Sequence, residues 1–169
     1  TDISDLVNIC VNMEHSWLHD LEISLTCPSG ESVILHNYIP TDTEGAGQTF
    51  LGIPNDPDNA SAPETIQTPW GPIQPGVGWD YCWTPDATNG TWREYASQVD
   101  PPTLPPGDYN AFDDLEDLLG CPLNGEWTIT VIDLWGIDNG FIFSWGIEFA
   151  SDLYPSLETF TPNLVDYAW

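Results

Sequence analysis

Four stretches of the chain alternate apolar and polar residues at period two, which is the pattern of strands with one buried face. In the first, Val7, Ile9, Val11 and Met13 share a face, with Asn8, Cys10 and Asn12 opposite. In the second, Leu21, Ile23 and Leu25 point inward against Glu22, Ser24 and Thr26. Pro28, Ser29 and Gly30 then supply turn chemistry and Val33 and Leu35 begin a return, so residues 21 to 38 read as a hairpin. Near the C-terminus Trp127, Ile129 and Val131 form a third run. Phe141, Phe143, Trp145, Ile147 and Phe149 form a fourth, after a turn around Asp138, Asn139 and Gly140. This patterning predicts antiparallel sheets, each covering a core with one face.

The middle of the chain behaves differently. Residues 40 to 110 hold most of the 16 prolines, interleaved with Gly, Asn, Asp and Trp, and leave room only for short strands. Irregular chain of that length inside a compact domain needs pinning, and Cys82 at its centre is the expected staple. Phe112, Leu115, Leu118 and Leu119 recur at helical spacing, which predicts one short helix from about 112 to 119, ended by Gly120. Beyond Phe149 the alternation stops. A single domain over 1–150 is therefore expected, with 151–169, carrying Pro155 and Pro162, as a linker or the start of another module.

Charge changes the picture. The chain carries 27 acidic residues against a single basic one, Arg93, for a formal net charge of -26. A phosphate backbone or an anionic membrane would be repelled over the whole surface, so nucleic acid is excluded as a partner, and no apolar span is long enough for membrane insertion. Nine Trp, six Tyr and six Phe nevertheless provide for a real core. The acidity reads mainly as a solvating surface, compatible with carboxylates that hold calcium through hard oxygen ligands. Candidate ligands are carboxylates at strand ends and turns, where backbone carbonyls are also free: Asp20 before a strand, Asp113 and Asp114 opening the short helix, Asp133 at a strand end and Asp138 in the following turn. Each also has a plainer role to play, as helix cap or turn residue.

Four cysteines, Cys10, Cys27, Cys82 and Cys121, are even in number and widely spaced, with no CxxC pair. Two disulfides in an oxidising compartment are expected, with three connectivities open. Catalytic constellations are hard to assemble. Absent lysine removes Schiff-base and P-loop chemistry, and GxSxG, HExxH and GxGxxG do not occur. His15 and His19 stand at i, i+4 but on a segment joining strands, where His15 reads as a turn residue bonding the backbone. A glycosidase would need only two carboxylates, which no sequence count excludes. Trp70, Trp79, Trp83 and Trp92 offer either loop packing or a surface on which a glycan or a protein partner could stack. Asn59-Ala-Ser61 and Asn89-Gly-Thr91 are glycosylation sequons where the host glycosylates.

Three stretches together carry a family resemblance. They are His15 to Gly30, with His15, Asp20 and Leu21 in a His-x-x-x-x-Asp-Leu pattern before a Cys-Pro-Ser-Gly turn; Asn124 to Asp133; and Asp138 to Trp145. In order and spacing they resemble the P domain of subtilisin-like proprotein convertases, a module also appended to large secreted bacterial proteins. Leu18-His19 stands where that family has Arg-Gly, and the Pro-rich insertion is longer. The resemblance implies a jelly-roll-like β-sandwich of about eight strands. It also implies a non-catalytic, secreted or cell-surface accessory module whose partners are neighbouring domains of its parent chain, a protease domain among them.

Overall fold

The computed structural model describes residues 5–38, 49–55, 75–135 and 138–153. Two sheets face each other as a sandwich, as the alternation requires. Strand β1 (Leu6–His15) is the axis of the first sheet. Along one side it pairs antiparallel with β9 (Gly140–Phe149) over nearly its whole length. Along the other it pairs with β5 (Trp79–Trp83) and, beyond the end of β5, with β4 (Phe50–Leu51) through His15 and Leu51. Short strands β6 (Thr103–Leu104) and β7 (Gly107–Tyr109) add to β4 and β5 in parallel. The second sheet is β3 (Ser32–His36), β2 (Leu21–Thr26) and β8 (Thr128–Asp133), all antiparallel, with β2 central. The hairpin expected over 21 to 38 is therefore present. The two C-terminal strands, read as neighbours across a turn, are split between the sheets, β8 pairing with β2 and β9 with β1.

Ile9, Val11, Met13, Tyr81 and Trp83 of the first sheet meet Leu21, Ile23, Leu25, Val33 and Leu35 of the second in one fully buried layer. Burying each such side chain contributes about 1.5 to 3 kcal/mol relative to exposure, so these ten positions dominate the stability of the sandwich. Two bulges shift the expected faces. The register slips between Leu6 and Asn8, which turns Val7 outward and leaves the buried role to Leu6. It slips again between Asn12 and Met13, where Phe143 becomes the extra residue and Ile142 falls opposite Met13. Of the inward positions expected on β9, only Ile147 and Phe149 pack partly buried against the core, and Trp145 stays exposed. A third slip, between Ile23 and Ser24, pairs Ile23 with His36 and turns that imidazole into the core.

The helix expected at 112 to 119 is only a 3-10 turn over Leu115–Leu118, with Asp114 as its N-cap, and Phe112 and Leu119 stay exposed. A true helix, α1 (Trp92–Val99), forms instead inside the region read as irregular. Thr91 caps it: its hydroxyl accepts from the Glu94 amide while the Glu94 carboxylate accepts from the Thr91 amide, a complete capping box. The helix is pinned by Trp92, which stacks on Trp83 with ring centres 4.8 Å apart and lies against His36, Tyr81 and Tyr109. Trp83 and Trp92, candidates for a ligand surface, are 0 and 1 % exposed. They are core residues, because the insertion folds back and brings its aromatic rings into the sandwich. Trp79 packs partly buried against the same cluster, and Trp70 lies outside the described residues.

Both cysteine pairs close, which settles the connectivity as Cys10–Cys82 and Cys27–Cys121. Cys10 and Cys82 sit directly opposite in the β1–β5 ladder, on the face turned away from the core, so Cys82 does staple the insertion. Cys27 at the β2–β3 turn holds the segment leading into β8. β9, the last strand described, ends at Phe149, followed by a turn over Ser151–Leu153; the rest of the expected linker lies outside the described residues.

Candidate functional site

The corner between β1 and β2 gathers the polar side chains that the sequence singled out. Residues Glu14 to Ser16 and Leu18 to Asp20 are all buried although all but Leu18 are polar or charged, so each of those must find partners inside the protein. His15 Nδ1 accepts a 3.0 Å bond from the Trp17 amide, which leaves Nε2 facing the Asp133 carboxylate at 3.7 Å. Ser16 is locked to the turn before β9: its amide and hydroxyl both donate to the Asn139 carbonyl, and its hydroxyl lies 3.3 Å from Asp138 Oδ1. The Asp20 carbonyl accepts from the Leu134 amide, tying the corner to the end of β8. His15 is thus the turn residue expected of it, bonding the backbone and orienting the chain into β2.

The structure brings three of the five candidate carboxylates, Asp20, Asp133 and Asp138, to this one corner. Asp133 is the register partner of Leu21, next to Asp20, and its Oδ1 accepts from the Trp135 amide. Asp113 and Asp114 do not join them. Asp113 bonds the Ile34 backbone of β3 through both its carboxylate and its amide, and Asp114 caps the following 3-10 turn. β3 and β8 flank β2 on opposite edges, so these two aspartates lie across the sheet from the corner. The corner offers hard oxygens of the kind calcium takes, but among the described residues no three carboxylates there approach within the reach of one ion. The only three-ligand group among the described residues is Cys27, Glu31 and Cys121, whose sulfurs are joined as a disulfide.

Glu14 is a buried carboxyl that strand alternation alone would place on an outer face. The chain around Gly52–Ile53 and Gly76–Val77 crosses over it, and Gly52, at φ 59°, has no room for a Cβ against Val77 O and Glu14. Glu14 Oε1 accepts from the Gly76 amide at 3.2 Å. Burial raises its pKa, partly offset by that bond and by the neighbouring His15. Nothing in the local sequence signals this, since the cover comes from residues about forty and sixty positions away along the chain.

A different surface emerges at the side of the sandwich formed by β8 and β9, where the edges of the two sheets lie near each other, as the Trp127–Phe149 ring contact at 5.7 Å shows. Leu134 and Trp135 just after β8, and Ile142 and Trp145 on β9, are 38 to 54 % exposed, while Phe143 of β9, 45 % exposed, lies over Gly78. Among the described residues the exposed aromatic side chains are thus Phe112, Trp135, Phe143 and Trp145, none of them in the Trp-rich insertion.

No curated protein and no solved structure matches the chain. The Asn124–Asp133 and Asp138–Trp145 stretches lie outside the part that a family model recognises. That part runs through β1, the His15–Asp20 corner, β2, β3 and into β4: residues 4–51 match the proprotein convertase P-domain, and over this stretch the chain is similar to that domain.

Proposed function

We propose that this chain is a non-catalytic, calcium-stabilised accessory module of a secreted or cell-surface protein, which supports and orients neighbouring domains of its parent chain, a protease domain among them. The observation that carries the reading is the P-domain match over residues 4–51, whose His15 and Asp20 build the buried corner. Two disulfides suit an oxidising compartment. The exposed apolar residues just after β8 and on β9 are the face offered to the neighbouring domain, since exposed large apolar side chains are the ones that gain most from being covered by a partner. Calcium is assigned to the corner of Asp20, Asp133 and Asp138, where it would draw the end of β8 and the turn before β9 together. Support comes from the hard oxygen donors and from a chain whose only basic residue, Arg93, lies on α1.

Thermal unfolding of the oxidised protein in calcium, in magnesium and in chelator at matched ionic strength tests the metal. Calcium at a hundredfold excess over Kd adds about 2.7 kcal/mol, which raises Tm by roughly 5 to 10 °C for a domain of this size. Asp133→Asn and Asp138→Asn should each remove that shift. Equal midpoints in all three conditions would refute the calcium assignment.

A second reading, an adhesive module for a protein or glycan ligand, is favoured by Trp135 at 54 % exposure beside Leu134. Capture on a glycan array, abolished by Trp135→Ala, would decide for it.

A further inference from the structure

Three Asn-Gly dipeptides occur among the described residues: Asn89-Gly90, Asn124-Gly125 and Asn139-Gly140. Asn-Gly is the sequence most prone to self-modification, because a glycine leaves its own amide nitrogen unshielded and free to approach the preceding carboxamide. The fold treats the three very differently.

Asn89 is tied down at its reacting group, since Nδ2 donates to the Asp108 carbonyl at 2.9 Å. The Gly90 carbonyl accepts from Asn110, and Thr91 begins the capping box, so the backbone that would have to rotate is bonded on both sides. Asn139 is held through its backbone, which both donates to and accepts from Ser16. Gly140 is the ladder partner of His15, packed so closely that a Cβ there would strike Glu14 O and His15. Asn124 has neither the carboxamide bond of Asn89 nor the backbone bonds of Asn139, and the close neighbour of its glycine is only the Pro28 side chain. Asn124 itself is exposed, in a bend outside any strand or helix, and its carboxamide makes no hydrogen bond among the described residues. Gly125 after it is also exposed and sits at φ 141°.

We propose that Asn124 is a site of intramolecular deamidation in the folded protein, the modification being conversion to aspartate and isoaspartate. The Gly125 amide nitrogen loses its proton to solvent base and attacks Asn124 Cγ. The new C–N bond closes a five-membered imide as the Cγ–Nδ2 bond breaks and Nδ2 leaves as ammonia. Water then opens either imide carbonyl. The net exchange is one water taken up for one ammonia released, with no oxidant, reductant or cofactor. The product adds one negative charge, and its isoaspartate form routes the main chain through the former side chain. That change falls between Cys121, whose disulfide anchors the β2–β3 turn, and Trp127, whose indole donates to the Leu123 carbonyl. Gly125 also packs against Pro28 of the same turn, so the modified loop must reseat there while the disulfide keeps it tethered.

The test is to incubate the folded, oxidised protein in mildly alkaline buffer and to map aspartate and isoaspartate by mass spectrometry and enzymatic carboxyl methylation. A reduced and denatured sample run in parallel supplies the intrinsic rates. All three asparagines should convert at comparable rates when denatured. In the folded protein Asn124 should keep its rate while Asn89 and Asn139 slow by about tenfold or more, since each must first break the hydrogen bonds that hold it. Asn124→Gln should abolish the isoaspartate signal of the folded sample. Protection of Asn124 on folding, or equal conversion of Asn89 or Asn139 in the folded protein, would overturn the assignment.

Discussion

His36 makes one contribution to the acid stability of this domain that can be worked from the structure. Its ring is 2 % exposed, lies 5.1 Å from the Trp92 ring, and bonds the Leu18 carbonyl through Nε2 at 3.0 Å. Burial lowers its pKa from 6.5 to about 4; the bond to Leu18 works against the shift, and His19 and Arg93 add to it. The folded protein therefore keeps His36 neutral at a pH where the unfolded chain already binds a proton. Below pH 6.5 the unfolded state gains that proton first, so stability falls as pH drops and the loss is complete near pH 4. With 1.36 kcal/mol per pH unit, a depression of that size costs about 3 kcal/mol, a large share of the 5 to 15 kcal/mol that holds a typical domain. Other groups titrate over the same range. Glu14, with its raised pKa, works in the opposite direction: its penalty is present at neutral pH and is relieved as the carboxyl protonates. The measurement is therefore a difference, urea unfolding of wild type and His36→Gln at several pH values between 7 and about 4, in which Glu14 and the surface carboxylates cancel. The variant loses stability at neutral pH, but its curve should lack the downward limb, so the two should converge by about 3 kcal/mol on acidification. Parallel curves would refute the reasoning, since they would mean that His36 reaches solvent or a proton partner in the folded state.

Two further expectations follow from the packing. Trp92→Ala empties the centre of the aromatic cluster and should cost about 3 to 5 kcal/mol by urea unfolding, with α1 losing its amide-exchange protection before the sandwich does. Replacing both Cys10 and Cys82 with serine opens a closure spanning 72 residues and should lower stability by about 2 to 5 kcal/mol, read as a drop in the urea midpoint against the oxidised wild type.

Period-two alternation carried the strands, because a strand that buries one face must place its apolar residues at every second position, whatever it pairs with. Val7 and Phe143 escaped that rule at bulges, which arise from the pairing of two strands and leave no mark on either alone. The α1 capping box at Thr91 and Glu94 was present in the sequence, but the surrounding prolines and glycines hid it within an irregular region. For the site, His15 as a residue bonding the backbone between strands follows from its place between two alternating runs, whereas the shared neighbourhood of Asp20 and Asp133 comes from the pairing of β2 with β8, more than a hundred positions apart. The place of Asp113 and Asp114 across the sheet likewise depends on which edge of β2 each neighbour occupies.

By itself the sequence determined the all-β class, the two-faced strands, the even set of disulfide cysteines and a surface that repels anions, all properties of local pattern and composition. The tertiary structure alone decided that Trp83 and Trp92 are core, that Cys10 meets Cys82, that Glu14 and His36 are buried, and that Trp135, Phe143 and Trp145 stay exposed. Burial is a property of what packs on top, and here the cover arrives from residues tens of positions away, so no window along the chain contains it.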